Sequence, residues 1–425
     1  MEPRASKKKQ LRAALEKNQL KERESSDRIS DLPVDLLHHV FSFLPFKSLA
    51  ETTLLSKHWK HLCLWRSHPH LDFSSLSPEL HSLRQARLLH KRLSESTEFV
   101  PDVLSRREQG SNITTFRLFG HVSYSCLQDC IDRVMHHGIQ QLELDVYLES
   151  DFNLPPGLFN CNTLRVLTLN HQGKYPVYEE DDDSVRARPL VLIIPYRHFK
   201  FNYLSSAGLP SVHTLSLTHV YIRWGSDLFS GGNFPLLRRL CLKHCTGMSA
   251  LNINCPGLEI LELGGLGRHG LGSLDISCIG LLDLQVTGCS RDDSRAKIFA
   301  PSLRRFYWEE SINVICTMKS FEYLDTGFAY FNSEPENPKK LQSAGTFISA
   351  LCFARSLSVG SQVLEILSNI ATEGGMPCSF NNLTTLELQT NLGKDQVTGI
   401  ICFLTSSPHH HHGRSLFQDR KRDLG

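Results

Sequence analysis

The chain has 425 residues, enough for two or three domains, and its 46 basic residues nearly balance its 44 acidic ones. A nucleic-acid-binding protein is expected to carry a stronger basic field, so we expect no nucleic acid among the partners. No apolar run reaches the length of a membrane span, and the N-terminus lacks the apolar core of a secretion signal. These features predict a soluble intracellular protein without membrane contact, whose 13 cysteines, an odd number, are reduced thiols.

Residues 1–26 form a polar, charged arm that carries a short basic run. Lys7, Lys8 and Lys9 are flanked by Arg4 and Arg12. This composition predicts a solvated, disordered segment, and a basic run of this kind is also a candidate nuclear address. We therefore expect a nuclear location, a cytoplasmic location, or both.

Three short helices are predicted between residues 27 and 65. Pro33 suits the first turn of the first helix, where a missing N–H costs nothing, and Pro45 ends that helix. Apolar residues of the first helix recur at spacings of one, three and four, which is one helical face: Leu36, Leu37, Val40, Phe41 and Leu44. The third helix has an apolar face of its own, formed by Leu55, Trp59, Leu62 and Cys63.

A unit of about forty residues cannot bury much surface alone, so some of its apolar residues are expected to stay exposed for a partner. The motifs DRISDLP, LLHHVFSFLP and LSKHWKHL resemble the F-box, in a variant similar to plant F-box proteins. The resemblance implies that residues 27–75 dock on a Skp-type adaptor and through it on a cullin. The expected adaptor-binding residues are Ile29, Leu32, Pro33, Leu36, Leu37, Val40, Leu44, Pro45, Leu55 and Trp59. The alternative is a three-helix cap on the next domain.

Residues 76–110 are predicted to form a helical linker. Leu80, Leu83, Leu89 and Leu93 are spaced as on a helix that would brace the two halves of the chain.

From residue 113 onward an apolar pattern, L-x-x-L-x-L, recurs at steps that are mostly close to the leucine-rich-repeat period. Because neighbours on a strand face opposite sides, each copy is a strand with a buried central residue, and successive copies stack into a parallel sheet. The predicted central residues are Phe116, Leu142, Leu167, Leu215, Leu240, Leu261, Leu284, Phe306, Leu324 and Leu386.

The segments that return from one strand to the next change character along the chain. Between the first two strands a helix is predicted that ends at Gly138, with one apolar face formed by Leu127, Cys130, Ile131, Val134 and Met135. Later returns, MSALNINCPG and LGSLDISCIG, alternate as short strands do. This arrangement resembles the F-box/leucine-rich-repeat proteins of plants. The resemblance implies an α/β fold: an N-terminal three-helix F-box, then a curved leucine-rich-repeat solenoid over residues 111–408 with a parallel β-sheet on its concave face.

Two interruptions and the tail depart from the repeat pattern. The acidic run at residues 179–183 lies in an insert, residues 171–189, that is predicted to be a solvated loop between repeats, with a protein-binding or basic-ligand loop as the alternative. Residues 329–382 have room for one degenerate repeat around Leu357 and Val359. Residues 409–425 are predicted to be a polar disordered tail. Plant relatives often continue here into a domain of the FBD type, so the cap of the last strand is in doubt.

The concave face is predicted to bind a target protein. Leu240, Leu261 and Leu284 are expected to fill the core, while the alternate side chains point outward. The expected target-binding residues are Arg239, Lys243, Glu262, Gln285, Arg305, Tyr307 and Tyr323, because tyrosine and arginine are frequent anchors of protein interfaces.

Catalytic and metal-binding motifs do not fit this chain. The glycine pattern Gly265-x-Gly267-x-x-Gly270 leads into another strand, whereas a dinucleotide fingerprint leads into a helix. Cys241, His244 and Cys245 lack the second ligand pair of a zinc site. We therefore expect no enzyme, cofactor or metal.

The resemblance implies a substrate-recognition subunit of a Skp–cullin–F-box ubiquitin ligase. The first alternative is a non-catalytic repeat scaffold that binds the adaptor or other proteins without promoting ubiquitination. The second is a hormone or inositol-phosphate sensor, which would need clustered basic residues on the concave face.

Overall fold

The structure is a computed structural model that describes residues 29, 32–55, 57–62, 66–74, 97–148, 150–171, 175–178, 189–192, 198–201, 208–223, 227–267, 270–311, 314–319, 321–331, 338–373, 378–390 and 393–407. Four of the sequence predictions lie outside these residues: the basic arm, the helix around Leu80 to Leu93, the acidic run and the polar tail.

The F-box contains three helices: α1 (Val34–Phe41), α2 (Phe46–Leu55) and α3 (Lys57–Leu62). Pro33 stands directly before α1 with extended backbone angles (φ −53°, ψ 142°), which suits a residue at a helix start. The three helices enclose a small core of Leu37, Phe41 and Leu49, against which Leu44 and Trp59 pack. The ring centroids of Phe41 and Trp59 lie 5.1 Å apart with the rings edge to face.

The F-box is joined to the solenoid by buried contacts and hydrogen bonds. Phe46 of α2 belongs to the large core of the solenoid, and its ring centroid lies 5.1 Å from that of Phe73. The His68 Nε2 atom lies 3.1 Å from the Leu44 carbonyl oxygen, and the Ser67 Oγ atom lies 3.1 Å from His38 Nδ1. The first helices are therefore fixed against the first turn of the repeats.

The solenoid is built on one long sheet of twelve strands in the described part of the chain, and all of its strand pairs are parallel. The predicted leucine-rich-repeat fold is confirmed. The strands, in spatial order, are β1 (His70–Asp72), β2 (Thr115–Val122), β3 (Gln141–Leu148), β5 (Val166–His171), β9 (Thr214–Thr218), β12 (Arg239–Lys243), β14 (Ile260–Gly264), β16 (Asp283–Thr287), β18 (Arg305–Glu310), β20 (Thr326–Phe331), β21 (Ser356–Val359) and β22 (Thr385–Leu388).

The predicted central residues pair with one another across this sheet, with one exception. Phe306 pairs with Gly327 and not with Leu324. Leu324 lies two residues before β20 and is buried like Leu303, which precedes β18. The prediction was wrong because glycine stands where the pattern calls for leucine. A Cβ atom at Gly327 would lie 3.0 Å from the Leu357 Cδ1 atom, so the neighbouring repeat fills that space.

Two further strands complete the sheet. Leu357 lies between Gly327 and Leu386 in the register, so the degenerate repeat expected there is confirmed as β21. Strand β1 was not predicted: Leu71 pairs with Phe116, so a segment assigned to the F-box forms the first strand of the solenoid.

The opposite side of the solenoid carries helices, then strands, then helices. Helix α5 (Tyr124–His136) matches its prediction and buries Leu127, Cys130, Ile131 and Val134. The short return strands are also confirmed, because β11 (Phe229–Ser230), β13 (Ala250–Asn254), β15 (Leu271–Ser277), β17 (Ser290–Phe299) and β19 (Ile315–Met318) form a second parallel sheet. Three further strands, β4 (Phe152–Asn153), β8 (Phe199–Phe201) and β10 (Val220–Ile222), form a smaller sheet. Two short helices, α4 (Val100–Ser105) and α6 (Pro156–Phe159), lie among the early returns.

Two features of the returns were not predicted. The late returns are helical, since α7 (Pro338–Ala350), α8 (Ser361–Glu373) and α9 (Lys394–Thr405) follow β20, β21 and β22, where the longer segments leave room for a helix. The insert expected to be a loop contains an antiparallel hairpin of β6 (Tyr175–Tyr178) and β7 (Pro189–Leu192) on either side of the acidic run.

Helix α9 covers the core at the C-terminal end of the repeats. It crosses α8 so closely that a Cβ atom at Gly399 would lie 2.1 Å from the Leu364 carbonyl oxygen. The Gly399 N–H donates to Ser368 Oγ at 2.7 Å, and Phe403 packs on Phe380 with ring centroids 5.2 Å apart. Within the described residues β22 is the last strand, and α9 follows it and packs on α8 and on Phe380.

A buried carboxylate, that of Glu310, ties strand β18 to the turn after β16. Its Oε1 atom accepts from the Cys289 N–H at 2.5 Å and its Oε2 atom from the Ser290 N–H at 3.0 Å. Removal from water is the larger influence, and it raises the pKa of Glu310 from 4.5 to about 7 despite these two donors.

The pH dependence of stability should report this residue. Because the folded pKa is higher than the unfolded one, the folded protein binds the extra proton, and stability falls as the pH rises from about 4.5 to about 7. The contribution is at most about 3 kcal/mol. Glu310→Gln should flatten this slope in denaturant unfolding measured between pH 5 and pH 8, although one of the two hydrogen bonds is lost because the glutamine NH2 group cannot accept. Glu387→Gln, on the solvent side of β22, is the control and should keep the slope.

Candidate protein-binding surfaces

The F-box exposes a dense group of apolar side chains. Seven of the ten predicted adaptor-binding residues are exposed: Ile29, Leu32, Pro33, Leu36, Val40, Pro45 and Leu55. Side chains of this kind on so small a unit define a surface that a partner is expected to cover.

The other three predicted adaptor residues belong partly or wholly to the F-box core. Leu37 is fully buried, which corrects its assignment as a contact residue: its side chain packs with Phe41 and Leu49 and cannot reach a partner. Leu44 and Trp59 are half-buried against the same core, so only part of each side chain is available.

Three exposed residues of this surface were missed by the sequence reasoning. Val34, Phe43 and Leu54 are all exposed, Phe43 to 75% and Leu54 to 85%. Leu54 adjoins Leu55 in the last turn of α2, where both side chains point to solvent. Phe43 lies within the quoted F-box motif, so its type and position were a usable signal. Together with the seven exposed predicted residues, these three form what we call the F-box apolar surface.

The second surface is the side of the long sheet that faces away from the core, here called the open sheet face. Side chains alternate on its strands as predicted, with Leu240, Leu261 and Leu284 fully buried in one row. The residues that alternate with these leucines on β12, β14 and β16 lie on the open sheet face. The prediction of which side of each strand faces the core is therefore confirmed.

Charged residues on the open sheet face pair across neighbouring strands. The Lys243 ammonium lies 3.1 Å from the Glu262 carboxylate, which raises the pKa of Lys243. The Arg305 guanidinium lies 2.6 Å from the Asp283 carboxylate. Arg239 is exposed at the start of β12. These ion pairs are exposed to water, so each contributes little to stability. They matter mainly because they give the open sheet face a pattern of charge that a partner would meet.

Aromatic rings form the largest apolar part of the open sheet face. The half-buried Tyr307 stacks on Phe328 with ring centroids 4.2 Å apart and planes 1° apart, and Phe328 lies nearly parallel to Tyr330 at 6.0 Å. The Tyr307 hydroxyl donates to the Glu309 carboxylate at 2.8 Å. Gln285 pairs with Tyr307 in the sheet register, on the side away from Phe328. Phe328 and Tyr330 were missed because the misplaced repeat at Leu324 hid their register.

Tyr323 is not on the open sheet face, which corrects its prediction. It lies in the turn before β20 and is 64% exposed. Together with Phe299, Met318 and Phe321 it lines a pocket beside α7, at the end of the second sheet. The same misplaced repeat explains the error, because Tyr323 precedes the strand to which it was assigned.

In the described residues, the glycine pattern at Gly265 to Gly270 and the thiol of Cys245 belong to the turns and core of the repeats. The turn around Gly265 and Gly267 is held by N–H groups that donate to the Thr287 and Cys245 carbonyl oxygens, both at 2.8 Å, and Gly270 leads into strand β15. Burial raises the pKa of the Cys245 thiol to about 12. Within the described residues, no cluster of three or more histidine, cysteine and acidic side chains could hold a metal ion. No helix in the same part of the chain is long and apolar enough to cross a membrane.

An F-box joined to a leucine-rich-repeat solenoid defines the class of protein, and comparison with known families agrees. The family model of the F-box domain matches residues 29–70. A putative F-box/FBD/LRR-repeat protein of Arabidopsis thaliana is 29% identical over 405 residues, covering 90% of this chain and 72% of the relative. F-box/LRR-repeat protein 25 of the same plant is 28% identical over 55% of this chain and 73% of its own length. The resemblance of the sequence to the plant F-box/leucine-rich-repeat proteins is therefore confirmed.

A third relative, another F-box/LRR-repeat protein of Arabidopsis thaliana, is 30% identical over 51% of this chain, and this chain spans about half of it (55%). The similarity to the first relative covers 90% of this chain and is therefore not confined to the F-box.

Proposed function

We propose that this protein is a substrate-recognition subunit of a Skp–cullin–F-box ubiquitin ligase. The F-box match over residues 29–70 implies binding to a Skp-type adaptor, and the F-box apolar surface offers that adaptor exposed leucine, valine and phenylalanine side chains. The open sheet face then binds the target protein. The observation that carries the proposal is the joining of these two surfaces in one body, through Phe46 and the hydrogen bonds of His68.

The proposed mechanism is catalysis by proximity. A target held on the open sheet face stays at a fixed distance from the cullin-bound conjugating enzyme, because buried contacts fix the F-box against the first strand of the solenoid. Holding the acceptor lysine close to the charged enzyme raises its effective concentration, and the chain itself supplies no catalytic side chain. The basic arm supports a nuclear or cytoplasmic site of action, which a fluorescent fusion would test.

A reconstitution experiment tests the proposal. The purified chain is combined with a Skp-type adaptor, a cullin with its RING partner, ubiquitin and the activating and conjugating enzymes, and then with proteins recovered on the chain under proteasome inhibition. Ubiquitin transfer to a recovered protein that depends on this chain, together with stabilisation of that protein in cells lacking the chain, is the expected result. The scaffold alternative predicts adaptor binding without transfer and without stabilisation.

A further inference from the structure

The turns and first residues at the strand starts carry a net charge opposite to that of the rest of the open sheet face. We define the strand-start margin as the two positions before each central buried residue, and the strand-end rows as the first and third positions after it. In the described strands the margin holds six arginines and three acidic residues, which leaves three positive charges: Arg165, Arg238, Arg239, Arg304, Arg305 and Arg355 against Glu259, Asp283 and Asp325.

The strand-end rows have the opposite sign. In the same described strands they hold six acidic residues and two basic ones, which leaves four negative charges: Asp72, Glu143, Asp145, Glu262, Glu309 and Glu387 against Arg117 and Lys243. The net charge of the whole chain is only +2, so this division is a property of the surface that total charge does not reveal.

Around β18, β20 and β21 the margin holds Arg304, Arg305 and Arg355 against Asp325, with Asp283 of the neighbouring β16 paired to Arg305. Asp325 is the acidic partner of both Arg304, at 3.7 Å, and Arg355, at 3.9 Å, so one carboxylate faces two guanidinium groups. Both arginine side chains remain well exposed, Arg355 to 74%. An acidic group that approached this margin would meet two guanidinium groups that share one counter-charge.

The aromatic group lies within the strand-end rows, on strands β18 and β20. Tyr307 and Phe328 are one position after the central residues of their strands, and Tyr330 and Glu309 are two positions further. A Cβ atom at Gly360 would lie 2.6 Å from the Tyr330 ring, so glycine leaves room for that ring at the end of β21. Along β18 the order is therefore Arg305, Tyr307 and Glu309: cation, ring, carboxylate.

We propose that the target is held by an extended segment that runs along the strand direction over β18 to β21, with an apolar side chain against Tyr307, Phe328 and Tyr330, an acidic residue over the strand-start margin and a basic residue over the strand-end rows. This inference rests on the proposed function and specifies the chemistry of its target. From Arg305 to Glu309 is four residues of strand, about 13 Å at 3.3 Å per residue. An extended target segment therefore carries its two charges about four residues apart, with the apolar residue between them.

Synthetic peptides test the proposal on the full chain bound to its adaptor. The probe is a fluorescent peptide with two glutamates, a central tryptophan and two lysines, separated by glycines. Its comparators replace the glutamates, the lysines or the tryptophan by glutamine. Anisotropy at low salt should give the parent peptide at least about tenfold tighter binding than each comparator, because each loses one of three complementary contacts.

Charge reversal on the protein makes the test specific. Arg304→Glu combined with Arg355→Glu should weaken the parent peptide about tenfold or more and should strengthen a peptide with lysines at both ends. Arg133→Glu combined with Arg295→Glu makes the same change in net charge on the opposite side of the solenoid, and it should leave binding unchanged. Phe328→Ala should weaken peptides with tryptophan and not those with glutamine. Melting curves verify that each variant is folded.

Equal binding of parent and comparator peptides, or equal losses in the two double variants, would overturn the inference. Ubiquitin transfer is measured on the same preparations. If transfer to recovered proteins persists while the peptides show no preference, the charge-divided site is wrong and the proposed function stands. If the peptide preference holds but no transfer occurs, the binding site stands and the ligase function fails.

Discussion

Replacing Leu36 and Val40 together by aspartate should remove the Skp-type adaptor from the purified protein. Both side chains are about half exposed on one side of α1, one helical turn apart, while Leu37 and Phe41 of the neighbouring row form the F-box core. A carboxylate in an apolar contact must lose its water without gaining a partner. Interface anchors of this kind contribute about 2 kcal/mol or more each, so the double substitution should cost about 4 kcal/mol, a loss of affinity on the order of a thousandfold that removes the adaptor in co-purification.

A matched pair on another helix separates docking from folding. Ile401 and Leu404 are half exposed on α9 at the other end of the chain. Ile401→Asp combined with Leu404→Asp makes the same chemical change far from the F-box and should leave adaptor binding intact. Wild-type levels of bound adaptor in the Leu36→Asp, Val40→Asp protein, with normal melting, would remove the F-box apolar surface as the docking site.

The α1 helix also illustrates what a sequence pattern can and cannot decide. Leu36 and Val40 form one i, i+4 row, and Leu37 and Phe41 form the adjacent row. Both rows are apolar, so helical periodicity identifies the broad face but not which row faces the core and which faces a partner. That choice depends on where α2 and α3 pack, which is tertiary information. Leu37 was therefore assigned to the wrong side of a correctly predicted helix.

The repeats were predictable because their signal is redundant. Alternation of period two sets the inside and outside of each strand, and recurrence at nearly constant steps sets their stacking. The error came at Gly327, the one central position where the described sheet has glycine, because the leucine of the apparent pattern stands three residues earlier, at Leu324. A shift of three positions exchanges the two faces of a strand. This one displacement produced both the wrong site residue Tyr323 and the omission of Phe328.

The return segments were predictable only where their length constrained them. Short returns leave no room for a helix, and the alternation in the segments that became β13 and β15 gave the right structure. The longer returns after β20 admit either a helix or an irregular path, and Gly399 shows why the outcome is tertiary: helix α9 is tolerated because glycine lets it approach Leu364. Close approach between distant segments leaves no periodic trace in a single sequence.

Leu261→Ala should be among the most destabilising substitutions in the repeats. Leu261 is fully buried and lies in register between Leu240 and Leu284, so alanine leaves a cavity between two neighbouring repeats. Buried leucine truncations cost about 2–5 kcal/mol of unfolding free energy. Each repeat is stabilised mainly by its neighbours, so the loss is expected to lower the melting temperature of the solenoid and to weaken the contact of both adjacent repeats. Thermal and urea unfolding measure it.

Tyr307→Ala is the partner experiment, because the same strand pattern places this ring on the opposite side of the sheet. The substitution removes the stack on Phe328 and the hydrogen bond to Glu309 but opens no core cavity. An aromatic pair contributes about 0.5–1.5 kcal/mol, so the melting temperature should fall much less than for Leu261→Ala. Recovery of target proteins should show the reverse order, with Tyr307→Ala losing targets while the protein stays folded.

Early melting of Tyr307→Ala with a stable Leu261→Ala would mean that the two sides of the sheet are reversed. Normal melting and normal recovery in Tyr307→Ala would move target binding away from the aromatic group. The expected Tyr307→Ala protein is stable, binds the adaptor and recovers no target. That result would show that the outward-facing Tyr307 ring is needed for target binding but not for folding.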